Sequence, residues 1–180
     1  MVLYQYMRTL LFIAPIFIFV KMVYGQQGYP VPTHTKNLLF YIQHDRGQNT
    51  YIYKANLNKT RSFVENNPVV VYRQLFDENG EVKPLTKIQK LFAYGIKHTL
   101  LAPANYQSHI VSLPDQKIKI SLDSNNRPIA ETCVNDTKMI LERIFIKQTD
   151  GTSGLGTKLD YIIFYGKDKN GSPIKETLHL

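Results

Sequence analysis

The chain has one cysteine, no tryptophan and no dense basic tract among its 22 lysines and arginines. A lone Cys133 excludes an internal disulfide, so the fold must rest on its apolar core. No basic stripe interleaved with aromatics is present, which excludes a nucleic-acid-binding face of the usual kind. The longest apolar run, LLFIAPIFIFV at residues 10–20, is eleven residues long. A spanning helix needs about 20, and Pro15 interrupts this run before Lys21 ends it. There is no internal repeat, no low-complexity tract and no linker after Asn37.

Catalytic and metal signatures are equally sparse. The five histidines stand scattered at 34, 44, 98, 109 and 179, with no HExxH or short His pair, so neither a metal nor a cofactor is expected. A GxSxG nucleophile elbow is absent. Cys133, in IAETCVND, has no His or basic residue beside it to lower its pKa, and reads as a small buried hydrophobe.

What is there begins with export. Arg8 gives residues 1–25 a positive start, the apolar run follows, and Val23 and Gly25 suit the −3 and −1 subsites of a signal peptidase. Cleavage after Gly25 would leave 20 basic residues against 14 acids, a net charge of +6. After signal cleavage no transmembrane span is expected. Lysines and acids are interspersed, so the surface reads as solvated and basic, with an attraction to anionic lipid head groups or glycans.

Residues 26–37 (QQGYPVPTHTKN) read as an extended leader, and residues 38–180 as a single domain. NLLFYIQH and TYIYKANL flank DRGQN as a first hairpin, and PVVVYRQLF is a third strand that ends at Asn79-Gly80. PLTKIQKLFAYGIKH is the one convincing helix. Leu85, Ile88, Leu91, Phe92 and Ile96 fall on one face, which predicts packing on a sheet. Thr86 and Gln89 predict a capping box, and Gly95 a left-handed stop. In QKIKISL, Ile118, Ile120 and Leu122 alternate with Lys117, Lys119 and Ser121, giving a strand with one wet side. Tight turns are expected at Asn135-Asp136 and Asn170-Gly171. The pattern predicts a mainly β fold, bordering on α+β. It is a single antiparallel β-sandwich or partly closed barrel of about nine strands with one short helix near residues 86–95.

DGTSGLGTKLDYIIFYG, residues 150–166, resembles a phosphate loop. Thr157-Lys158 reverses the order that loop needs, however, and KLDYIIFYG has the β-branched and aromatic content of a strand. It reads as a hairpin loop. The best candidates for ligand binding are Gln43, His44, Asp45 and Arg46 at a strand end. Arg73, a charge inside an apolar strand that needs a partner, joins them. So do Tyr94 and His98, expected to cover the helix C-terminus.

NLLFYIQHDRGQNTYIYKANLN, NPVVVYRQLF, PLTKIQKLFAYGIKH and LDYIIFYGKDKNGSPIKE occur in that order. Together they resemble a family of short exported bacterial proteins, mainly from Bacteroidetes, catalogued as a domain of unknown function. The resemblance covers residues 37–176 and implies an envelope protein of a Gram-negative cell, periplasmic or associated with the outer envelope. It implies no catalytic residues, and Arg73 stands where the family pattern would carry an aromatic. The expected function is non-enzymatic binding or structural support, with an envelope glycan, lipid or protein as partner. An envelope hydrolase acting on glycan or peptide and a carrier of a hydrophobic ligand are the alternatives.

Overall fold

A computed structural model describes residues 28–180; residues 1–25, expected to be a signal segment, and the start of the expected leader lie outside the described residues. Eleven strands and one helix follow in chain order. They are β1 (Leu38–His44), β2 (Gly47–Ala55), β3 (Val69–Gln74), β4 (Val82–Pro84), α1 (Lys87–Phe92), β5 (Ile96–Ala102), β6 (Asn105–Ile110), β7 (Leu113–Leu122), β8 (Pro128–Val134), β9 (Thr137–Gln148), β10 (Leu159–Lys167) and β11 (Pro173–His179). The main path of nine strands runs β4-β3-β2-β1-β9-β8-β7-β6-β5 and curls into an open half-barrel. The β10–β11 hairpin leaves this path at β9.

Nearly all pairings are antiparallel, as the short turns require. The exception is β1 with β9, which run parallel from Tyr41↔Arg143 to His44↔Ile146. Strand β9 is the corner of the body. Its start pairs with β8, its later part with β1, and β10 follows it along the other edge. Between Leu141 and Arg143 the register to β10 slips, so Glu142 is an extra residue opposite the Tyr165–Gly166 step. This bulge reverses which residues face inward: Met139 and Leu141 before it, Ile144 and Ile146 after it, are all buried.

Alternation along the strands builds the core. Phe40, Ile42, Tyr53, Ile118, Ile120, Ala130, Ile144, Ile162 and Phe164 are fully buried and pack in one continuous cluster. The turns obey their residues. Asn79-Gly80 and Asn135-Asp136 have both residues at positive φ, whereas the last hairpin places only Gly171 there. In that hairpin the Asp168 carboxylate accepts from the N–H groups of Asn170 and Ser172, each at 2.8 Å. Thr149 N–H donates to Lys158 O at 2.9 Å, closing residues 149–158 as a loop between β9 and β10. A strand, not a helix, follows Gly156, as phosphate-loop chemistry does not allow.

Three expectations need correction. Cys133 is exposed, because Thr132 and Val134 take the inward positions of β8 and strict alternation turns Cys133 outward. Helix α1 has its capping box, with Gln89 N–H on Thr86 Oγ1 at 3.3 Å and Thr86 N–H on Gln89 Oε1 at 3.0 Å. None of its residues is buried, however, and Ile88, Leu91 and Phe92 face solvent. Gly95 is not left-handed either. It is needed for close approach, since a Cβ there would sit 1.9 Å from the Lys90 carbonyl oxygen. The chain leaves α1 through a wide turn, Tyr94 N–H to Gln89 O at 2.8 Å.

The described part of the leader lies on the outer face of β1, β2 and β9. Tyr29 meets Phe145 edge-on at 6.3 Å, and its hydroxyl donates to His44 O at 2.9 Å. That cover explains why Gln43, Thr50, Ile52 and Phe145 are buried on the side facing away from the core.

Candidate binding site

The sequence candidates divide between two faces and four neighbourhoods. Gln43 points outward under the leader, where its Nε2 donates to Thr50 Oγ1 at 3.1 Å and Pro30 O at 3.2 Å. It ties the leader to the sheet and does not approach the other candidates. Asp45 accepts from Lys147 Nζ at 2.7 Å and from the Gln148 N–H at 2.9 Å. Partial burial alone would raise its pKa, but the Lys147 and Gln148 hydrogen bonds and the nearby cations lower it overall. Arg46 pairs with Asp150, which Lys147 also reaches at 3.3 Å. This network joins the β1–β2 turn to the β9–β10 loop.

His44, Tyr94 and Arg73 lie on the inner face. His44 stacks at 6.0 Å on Tyr51 and 6.2 Å on Tyr94, and the two tyrosine rings stack at 3.4 Å. Tyr53 hydroxyl donates to Tyr94 O at 2.7 Å, and Gln89 Nε2 reaches Tyr51 hydroxyl at 3.4 Å. Arg73 sits directly across from Tyr51 in the β2–β3 register. Among the described residues it makes no ion pair, and its buried Nε has no hydrogen-bond partner, so the expected partner is not found there. His98 lies on β5, edge-on to Tyr106 at 6.1 Å, and helps line a cavity of about 250 Å³ between β3 and β5.

Electrostatics makes the aromatic cluster a brace. Burial raises the pKa of Tyr51, Tyr53 and Tyr94, so all three remain protonated phenols. Burial lowers His44, and Asp45 only partly offsets it. His109 is lowered by burial and by Lys117 and Lys97. Unfolding frees both imidazoles to protonate near 6.5. Their neutral-form stabilisation is therefore whole above that value and is lost as pH falls through the mid-6s towards the lower folded values. Urea midpoints are expected to drop between pH 8 and pH 5.5, and a smaller drop is expected in His44→Gln.

Another concavity lies elsewhere, on the outer face of β6 to β10. It encloses about 880 Å³. Lys117, Lys119, Lys138, Lys167 and Lys169 line it over a floor that includes Cys133 and Ile140. Lys119 pairs with Glu131 at 3.5 Å, and Lys167 with Glu142. Lys117, Lys138 and Lys169 have no carboxylate partner among the described residues. Such an arrangement gives a net positive wall over an apolar base, suited to a ligand with acidic groups on a ring or chain. The only sequence signal for it was the wet side of β7; its other residues come from strands far apart in the chain.

No metal-binding group of three or more His, Cys, Asp or Glu is present among the described residues. No helix there is long and apolar enough to cross a membrane. Comparison with curated proteins and with solved structures gave no match. A family model does match, across residues 40–177, which takes in the half-barrel, the aromatic brace and the lysine groove alike. By that match the chain belongs to the family described as Domain of unknown function (DUF4833).

Proposed function

We propose that this is an exported, non-enzymatic binding protein of the cell envelope that holds an acidic glycan in the outer groove. The observation that carries the reading is the groove itself: among the described residues, five lysines against the carboxylates of Glu131 and Asp168 surround a partly apolar floor on the outer face. The charge expected after signal cleavage supports it, because a basic protein accumulates at polyanionic envelope surfaces. Against a hydrophobic carrier stands an inner face filled by Phe40, Tyr53, Ile120 and Phe164. Against a hydrolase stand the protonated tyrosines of the inner cluster and the pairing of Glu131 with Lys119. Resemblance to exported Bacteroidetes proteins favours a periplasmic or outer-envelope location.

Calorimetric titration with a uronic-acid oligosaccharide tests this. Lys117→Glu combined with Lys138→Glu is expected to weaken binding at least about tenfold, since each reversal replaces an attraction by a repulsion of order 1 kcal/mol. Both lysines are exposed, so the variant should unfold within a few degrees of the parent. Equal binding of a neutral oligosaccharide would sink the proposal.

A further inference from the structure

Helix α1 presents its apolar side outward. Ile88, Leu91 and Phe92, at i, i+3 and i+4, are 68%, 52% and 62% exposed, while the polar Gln89 is the residue that reaches the brace. A soluble helix normally does the reverse. Val82, on the strand leading into α1, adds another exposed apolar side chain at 52%. The capping box fixes the first turn, so the three apolar side chains are held on one face. Charge decides what covers them. Lys87 and Lys90 flank the trio on the helix itself, Lys97 follows, and no acidic residue occurs between Glu81 and Asp115. We infer that α1 is a docking element for an anionic lipid surface, with Ile88, Leu91 and Phe92 entering the acyl boundary and the lysines meeting phosphate head groups. A second copy of the chain fits less well, because a two-fold contact through this face would set Lys87 and Lys90 against their own counterparts.

The absence of tryptophan makes the test site-specific. Phe92→Trp places a single indole on the exposed face. Its emission is expected to shift to the blue on addition of vesicles of phosphatidylglycerol and phosphatidylcholine, and to stay unshifted with phosphatidylcholine alone. Adding Lys87→Glu and Lys90→Glu should weaken the partition at least about tenfold, with thermal unfolding unchanged because these side chains are exposed. An equal shift with neutral vesicles, or none with anionic ones, overturns the inference. So does emission already blue-shifted without vesicles, whether concentration-dependent, as a second copy would make it, or constant, as cover by another segment of the chain would.

Discussion

Gly166→Ala is expected to lower stability by more than about 3 kcal/mol, because a forced contact with backbone has no flexible neighbour to yield. A Cβ at Gly166 would lie 2.2 Å from the Ile140 carbonyl oxygen and 3.2 Å from Met139 Sδ. The position is special because it faces the Glu142 bulge, where β9 turns from its β8 partner to its β1 partner. Relieving the contact means separating β9 from β10 at the corner where the β10–β11 hairpin leaves the main path. For a chain of this size the melting temperature should fall by roughly 10 °C. Gly156→Ala is the control: nothing lies within 4 Å of a Cβ there and its φ is not positive, so little change is expected. If both variants melted alike, the corner would not be built as described.

Tyr53→Ala should cost about as much, roughly 3–5 kcal/mol for an aromatic removed from a packed core. Tyr53 is fully buried, stacks on Phe40 at 4.4 Å and donates its hydroxyl to Tyr94 O. It thus joins the sheet to the segment between α1 and β5 that spans the opening of the half-barrel. Tyr53→Phe separates the two contributions: packing stays, and the loss should be about 1–3 kcal/mol for a carbonyl left without its donor. Amide exchange should quicken at Ala93, Tyr94 and Gly95 more than in β7. A uniform change across the chain would mean that the hydroxyl is not a local tether.

Much of the fold is legible in the residues. Asn79-Gly80, Asn135-Asp136 and Gly171 announce turns because positive φ suits few other residues. Ile118 and Ile120 against Lys117 and Lys119 announce a half-wet strand because side chains alternate with period two. The bulge at Glu142 has no such mark: its residue is ordinary, and its cause is the need to bend β9 between two partners. The parallel pairing of β1 with β9 joins segments about a hundred residues apart, beyond any local signal. Cys133 misled because residue type suggested burial while its place in the alternation of β8 decided exposure. Ile88, Leu91 and Phe92 misled in the opposite sense. Their spacing encodes one apolar face but not whether the sheet or something outside the chain covers it.

The candidate site was legible only in part. The strand-end signal in Gln43 to Arg46 is real as polar chemistry, yet alternation sends Gln43 and His44 to opposite faces, and the loop network engages Asp45 and Arg46. The lysine groove draws on residues 107, 117, 119, 131, 133, 138 and 167, brought side by side by registers such as Lys119↔Glu131↔Ile140↔Lys167. Individually those lysines are ordinary wet-face residues of separate strands.

Backbone amide chemical shifts recorded during titration with the acidic oligosaccharide address the central claim, that recognition occurs outside the barrel and not within it. The account predicts perturbations in β7, β8, the start of β9 and the β10–β11 turn, with His44, Tyr51, Arg73 and Tyr94 silent. Shifts concentrated on those four inner residues, with the outer groove unmoved, would contradict it.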